Sequence, residues 1–320
     1  MLVAQPAAAS EPAPAPLATR AWLWPNLLSL DAPIVAVLWQ ALFLRCFHAT
    51  FDRLAAGLLV LSVWLIYAAD RWLDVWKKPV KNPAISRRTL LADHERERES
   101  EPETIVLPQV FRESAEEPAR HRFYRRHWRR MLPVWIAVFT MAAWLAWTRL
   151  PSLLFERGIA LLAAIGVYFA FVHFAPWRWW PKEFAVGILF AMGTSLAAWG
   201  HVRSPVDVAT IVLFCALCWI NCAAIEVWEQ RAVWEQPADR QQRRASEWPV
   251  RLAAIAVGLV ALIFLYNQRP ILAGAETASA FAFVALDRAR HRLSADALRV
   301  LADIALLTPV LFLPIAGLRT

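Results

Sequence analysis

Residues Met131 to Trp147 read MLPVWIAVFTMAAWLAW, and residues Gly158 to Val172 read GIALLAAIGVYFAFV. Neither run contains Asp, Glu, Lys or Arg, and arginines flank both, at Arg130, Arg149 and Arg157. A helix needs roughly 20 apolar residues to cross ~30 Å of hydrocarbon at ~1.5 Å per residue. Only helices and closed barrels satisfy their backbone polar groups in lipid. These runs are too long and too uniform for barrel strands, which alternate apolar and polar residues. They are read as membrane helices.

The same reading, carried outward, finds nine apolar segments, at about 27–44, 54–69, 131–148, 154–174, 183–200, 206–222, 249–266, 270–286 and 298–317. The second is short, and the eighth is interrupted by Glu276. The expected fold class is all-α, a polytopic membrane bundle. The composition agrees: 59% of the 320 residues are hydrophobic and 19% are charged, against about half and a quarter in soluble domains. Whole-chain disorder is excluded by that hydrophobicity. Four cysteines, three of them in one apolar run, exclude a disulfide framework.

Residues 1–20 form an Ala/Pro-rich tail with no fold of its own and no signal-peptide pattern. Residues 21–320 form a single transmembrane domain, with a charged loop insertion at about 77–129. That loop contains HERERESEPE (His94 to Glu103) and RHRFYRRHWRR (Arg120 to Arg130). The second stretch reads as a membrane-surface segment facing anionic lipid, with a phosphate-binding patch as the alternative. Nucleic acid is not an expected partner. The net charge of +8 comes from basic loops that anchor helices. With the amino terminus in the cytoplasm, 27 of the 34 Lys and Arg fall on the cytoplasmic side and seven on the other. The expected location is the cytoplasmic membrane, with the amino terminus inside and the carboxyl terminus outside.

The polar residues left over fall in three places. Asp70 and Asp74 are four apart and share a helical face at the end of the second segment, beside Arg71. They are either an ion-paired helix end or hard oxygen ligands suited to Mg²⁺ and a phosphate. The sixth segment ends in Asn221, Glu226 and Glu229, either an amphipathic exit helix or a second acidic cluster on the same side. Cys215, Cys218 and Cys222, spaced three and four apart beside them, share one stripe and read as core packing rather than a zinc site. Arg178 and Lys182 lie in the aromatic loop before the fifth segment, placed to meet a diphosphate. Gly187 and Gly193 follow, permitting close helix packing or leaving room for an isoprenoid tail. Interior polar residues, chiefly Gln40 and Glu276, are too few for a transporter pathway, and no paired halves are visible.

The stretch Ile66-Tyr67-Ala68-Ala69-Asp70-Arg71-Trp72-Leu73-Asp74 resembles the first aspartate-rich motif, NDxxDxxxD, of the UbiA-type intramembrane prenyltransferases. The last two carboxylates and the Arg match, and Ile66-Tyr67 stand in place of Asn-Asp. Lys182-Glu183-Phe184 is similar to the family's lysine-containing start of helix five. Asn221, Glu226 and Glu229 stand where the family has its second, Asp-rich motif. The last segment, with Asp303, also has the family's look. The resemblance spans about residues 22–318 and implies nine membrane helices. It further implies transfer of a prenyl group from a prenyl diphosphate to a lipid-soluble, possibly aromatic, acceptor. In that setting Asp70, Asp74, Glu226 and Glu229 hold Mg²⁺, while Arg71, Lys182, Arg178 and Asn221 hold the diphosphate. The alternative is a catalytically inactive or divergent UbiA-like membrane protein that binds a lipid or a protein partner.

Overall fold

The computed structural model describes residue 25 and residues 28–77, 119–174, 182–233, 240–265 and 268–317. Most of the tail and most of the insertion therefore lie outside the described residues. The helices are α1 (Asp31–Cys46), α2 (Arg53–Lys77), α3 (Ala119–Arg149), α4 (Ser152–Phe174) and α5 (Lys182–Ser195). They continue with α6 (Pro205–Val233), α7 (Arg240–Val260), α8 (Pro270–Ala289), α9 (Ala295–Ala305) and α10 (Pro309–Gly317). A tighter helical segment, Leu196–His201, extends α5, and a wider one, Ala261–Leu265, extends α7. No strand occurs among the described residues.

Among the described residues, seven helical stretches are long and apolar enough to cross a membrane: Arg53–Leu73, Arg126–Arg149, Ser152–Val172, Lys182–His201, Pro205–Trp228, Pro270–Arg292 and Asp296–Gly317. The chain is a multi-pass, all-helical membrane protein. The other two expected segments are helical but shorter. α1 has 16 residues, and the apolar part of α7 is Val250–Ile263. Both still run the height of the bundle. Asp31 at one end of α1 is hydrogen-bonded to Asp303, and the Cys46 carbonyl at the other end accepts from Arg269 at 3.3 Å. Arg251 of α7 meets Asp287, near the end of α8 opposite Arg269.

Three expected boundaries are corrected. The second segment is not short: α2 has 25 residues and runs past Asp70 and Asp74 to Lys77. RHRFYRRHWRR is not a loop but the first turns of the 31-residue α3. At ~1.5 Å per residue this helix is roughly 46 Å long, more than the hydrocarbon needs, so its basic start continues beyond the apolar span. Pro133 sits inside α3 at the junction, where it removes a helical N–H. The last segment is broken. Pro309 supplies no N–H, and the Val310 N–H bonds the Leu307 carbonyl instead of that of Leu306. The freed Leu306 carbonyl accepts from the indole of Trp39 at 2.8 Å.

That hydrogen bond lies in the core. Trp39 is fully buried, stacks on Phe214 with ring centroids 4.4 Å apart and touches Phe43. α1, α6 and α8 enclose this cluster. α3 and α4 lie outside, exposing Trp144, Trp147 and Phe171, as helices bathed in lipid do.

Two buried ion clusters tie the ends. At one, Asp207 accepts from Arg269 at 2.7 and 2.8 Å and from the backbone N–H groups of Arg203 and Ser204 at 2.9 and 3.1 Å. Asp207 lies in the first turn of α6, where the helix dipole favours an anion. At the other, Asp287 accepts from Arg251 at 2.6 and 2.8 Å, from Arg290, and from the Trp228 indole at 3.4 Å.

Glu276 does not break α8. It is fully buried, and neither of its side-chain oxygens has a hydrogen-bond partner among the described residues. A buried, unsatisfied polar group costs about 1–3 kcal/mol. Glu276→Leu is therefore expected to raise the unfolding temperature in detergent by several degrees. A lowered one would show that Glu276 has a partner that matters to the fold.

Candidate functional site

The end of the bundle that holds Asp287 also gathers the residues singled out in the sequence. Asp70 and Arg71 come from the last turns of α2, Lys182 and Glu183 from the first turn of α5, and Asn221, Cys222 and Glu226 from α6. Two acids from other helices join them: Asp31 opens α1, and Asp303 lies in α9. The Asn221 side-chain N–H donates to Asp303 at 3.2 Å, and Asp303 is also hydrogen-bonded to Asp31. Arg71 lies close enough to Asp303 for its charge to act there. Cys222 feels the charges of Asp303, Glu183, Asp70 and Lys182. The first and last membrane segments are thus joined at the centre of the site.

Between these residues is a small cavity. Tyr67, Asn221, Cys222 and Asp303 line it at the charged end, and Val35, Phe190, Cys218 and Leu306 line it towards the core. Its volume is about 20 Å³, room for about one water. The Asn221 side-chain carbonyl oxygen is buried without a hydrogen-bond partner among the described residues. Tyr67, which stands where the family motif has Asp, packs its ring edge-on to Phe190 at 6.4 Å. It brings an aromatic face where a carboxylate was expected.

Lys182 is already engaged. Its ammonium lies 3.8 Å from Glu226 and 3.6 Å from Glu183. The ammonium is 57% exposed, so these pairs are weak and open to exchange for a stronger anion. Among the described residues, no three of His, Cys, Asp and Glu converge tightly enough to cage a metal. The side chains of Asp74 and Glu229 lie outside the described residues, as does Arg178. The backbone places Asp74 one turn beyond Asp70 on α2 and Glu229 near one turn beyond Glu226 on α6.

The three clustered cysteines are free thiols, and two of them do more than fill the core, since Cys218 and Cys222 line the cavity. Gly187 serves close packing. A β-carbon there would lie 2.9 Å from the Trp219 backbone nitrogen, so α5 and α6 touch at this point. Gly193 has no such neighbour, its nearest being Leu161 at 3.4 Å.

Sequence reasoning passed over Asp31 and gave Asp303 no role. A signal for Asp303 was present: it is the lone acid in the apolar run 298–317, and an ionisable residue in a membrane helix points to a site by default. Asp31 carried the same mark, as the lone acid in the apolar run 27–44, close to its start. Comparison with family models, curated proteins and solved structures finds no match to this chain. The family resemblance therefore rests on the residues of the chain itself.

Proposed function

We propose that this protein is an intramembrane prenyltransferase of the UbiA type, moving a prenyl group from its diphosphate to a lipid-soluble acceptor. The observation that carries this reading is a cavity lined by Asn221, Cys222 and Asp303 on one side and by apolar residues on the other, with Asp70 and the Lys182–Glu226 pair at the same end of the bundle. In this reading α1 and α7 cross the membrane with the other seven, giving nine spans. The excess of Lys and Arg puts the site end in the cytoplasm.

The donor set fits Mg²⁺ carried in by a diphosphate better than a resident metal cage. Mg²⁺ binds through one or two carboxylates plus substrate phosphates, and the unpartnered Asn221 oxygen offers one further hard donor. Asp70 and Asp74 would hold it on one side, and Glu226 and Glu229 on the other. When bound, the metal neutralises charge on the departing pyrophosphate. The chain's own residues do the rest. Lys182 exchanges Glu226 for a phosphate oxygen, which frees Glu226 to act as a ligand. Arg71 and Arg178 add positive charge. The allylic C–O bond breaks, pyrophosphate leaves, and the acceptor bonds to the allylic carbon and gives up a proton. The Tyr67 ring faces the cavity where positive charge develops on carbon, a place where an aromatic face is favourable. The surrounding apolar walls keep water from capturing that carbon.

A second reading has one observation in its favour. With Lys182 paired to Glu226 and a cavity of about 20 Å³, the site is closed as it stands. A divergent UbiA-like protein that binds a lipid or a partner without catalysis would look the same. Titration of the purified protein in nanodiscs with prenyl diphosphates of several lengths, with and without Mg²⁺, separates the two. Binding is expected to need Mg²⁺ and to fall at least tenfold in Asp70→Asn/Asp74→Asn. Metal-independent binding, or none in folded protein, would remove the transferase reading.

A further inference from the structure

We infer that the basic start of α3 is a binding strip for anionic phospholipid headgroups, set on the side of the helix that faces lipid. The inference is independent of the diphosphate reading and goes beyond it.

The strip is written in the helical register. α3 is continuous from Ala119 to Arg149. Five of the six arginines in RHRFYRRHWRR are Arg122, Arg125, Arg126, Arg129 and Arg130. They occupy positions i, i+3, i+4, i+7 and i+8, which is one face of a helix. Tyr124 and Trp128 occupy another face, in the file that continues to Trp135.

The rest of α3 shows which way each face looks. The Trp135 indole donates to the Leu65 carbonyl of α2 at 3.0 Å and lies 6.0 Å from the Trp72 ring, and Ala142 is buried on the same side. That face lies against α2. The arginine file continues instead through Ile136, Trp144 and Trp147, which are 50%, 60% and 76% exposed. Arg126, Arg129 and Arg130 are themselves exposed, and Arg129 lies over the Trp128 ring at 5.4 Å. The contact with Trp72 puts the strip at the Asp70 end of the bundle. From Arg130 to Arg122 it covers about 12 Å along the axis. It begins where the charge-free run from Met131 ends, which is the level of the headgroups.

Two considerations point to a phosphate-bearing lipid. Like charges three and four apart weaken a helix, and this file repeats that spacing along its length. Headgroup phosphates between the arginines turn the repulsion into attraction, and a guanidinium suits them because it can bond two phosphate oxygens at once. Membrane topology does not account for the pattern, since it needs positive charge on one side of the bilayer and is indifferent to the helix face that carries it. Confinement of five arginines to the face away from α2 is what contact with an anionic leaflet requires.

The full chain in neutral detergent is titrated with phosphatidylglycerol and with phosphatidylcholine, and bound lipids are counted by native mass spectrometry. The wild-type protein is expected to bind phosphatidylglycerol at least tenfold more tightly. Arg122→Gln/Arg126→Gln/Arg130→Gln is expected to cut that preference to about threefold or less. A second variant, Tyr124→Arg/Arg125→Tyr/Trp128→Arg/Arg129→Trp, keeps composition and charge but moves two arginines to the α2 side, and it should lose the preference too. Arg149→Gln, at the other end of α3, should keep it. The glutamine variant leaves the α2 side untouched, so it stays readable if the exchange variant misfolds. Equal affinity for the two lipids in the wild type, or full preference in the glutamine variant, overturns the strip. Full preference in a folded exchange variant would show that charge number alone attracts the lipid and would overturn the assignment to one face. Displacement of phosphatidylglycerol by an equal concentration of inorganic pyrophosphate would make the strip a site for soluble phosphates and end the lipid assignment.

Discussion

Asp287→Ala is expected to destabilise the protein by about 3–5 kcal/mol, the range for removing one partner of a buried ion pair. Asp287 is 2% exposed and Arg290 only 7%. The carboxylate accepts from Arg251, Arg290 and the Trp228 indole at once, joining α6, α7 and α8. Its loss leaves two guanidinium groups without the anion that offsets their charge, one of them in a dry interior. Desolvation of the stranded Arg290 should dominate over the lost attraction, because Arg251 is partly exposed and can rehydrate. Thermal unfolding in detergent would show a large downward shift. Asp287→Asn keeps an acceptor and removes the charge, so it should fall between the two. An unchanged midpoint in Asp287→Ala would mean that the cluster is solvated and contributes little to the bundle.

Gly187→Val should be the most damaging change that touches no charged group. The first added carbon would lie 2.9 Å from the Trp219 nitrogen and 3.1 Å from its α-carbon. Those are backbone atoms of a membrane helix and cannot turn aside as a side chain can. α5 must move off α6, at a cost of about 1–3 kcal/mol or more for overpacking. The movement has a functional consequence, because α5 carries Lys182 at its start and Phe190 one turn after the glycine. Pyrophosphate binding is expected to weaken at least tenfold even where the variant remains folded. Gly193→Ala is the control: its nearest neighbour, at 3.4 Å, is the tip of Leu161. It should leave both stability and binding nearly unchanged. If Gly187→Val binds pyrophosphate like the wild type, the contact between α5 and α6 does not position the site.

What the sequence by itself determined was the solvent and the fold class. Long charge-free runs have one stable outcome in lipid, the self-satisfied helix; each of the nine expected segments overlaps a helix, and among the described residues seven stretches are long and apolar enough to cross a membrane. The weak eighth segment became a regular helix because Glu276 costs free energy without breaking any backbone hydrogen bond. Asp70 with Asp74, and Glu226 with Glu229, were legible as pairs because helical spacing puts residues about a turn apart on one face. The ends of helices were less legible. No change in composition marks where α3 starts, and only Pro309 hinted that the last span divides.

Tertiary structure decided everything that depends on residues distant in the chain. The bond from Asn221 to Asp303 joins positions 82 apart, and nothing local in either segment calls for it. The ammonium of Lys182 comes within 3.8 Å of Glu226 because α5 and α6 pack closely at Gly187 and Trp219, a contact no pattern in either helix announces. The apolar wall of the cavity belongs to the same class. Phe190, Phe214, Trp39 and Leu306 are four ordinary apolar residues in four separate segments. Hydrophobicity alone tells each of them to be buried. Only packing, which is specific in direction where burial is not, puts Phe190 and Leu306 on the cavity wall with Phe214 and Trp39 behind them.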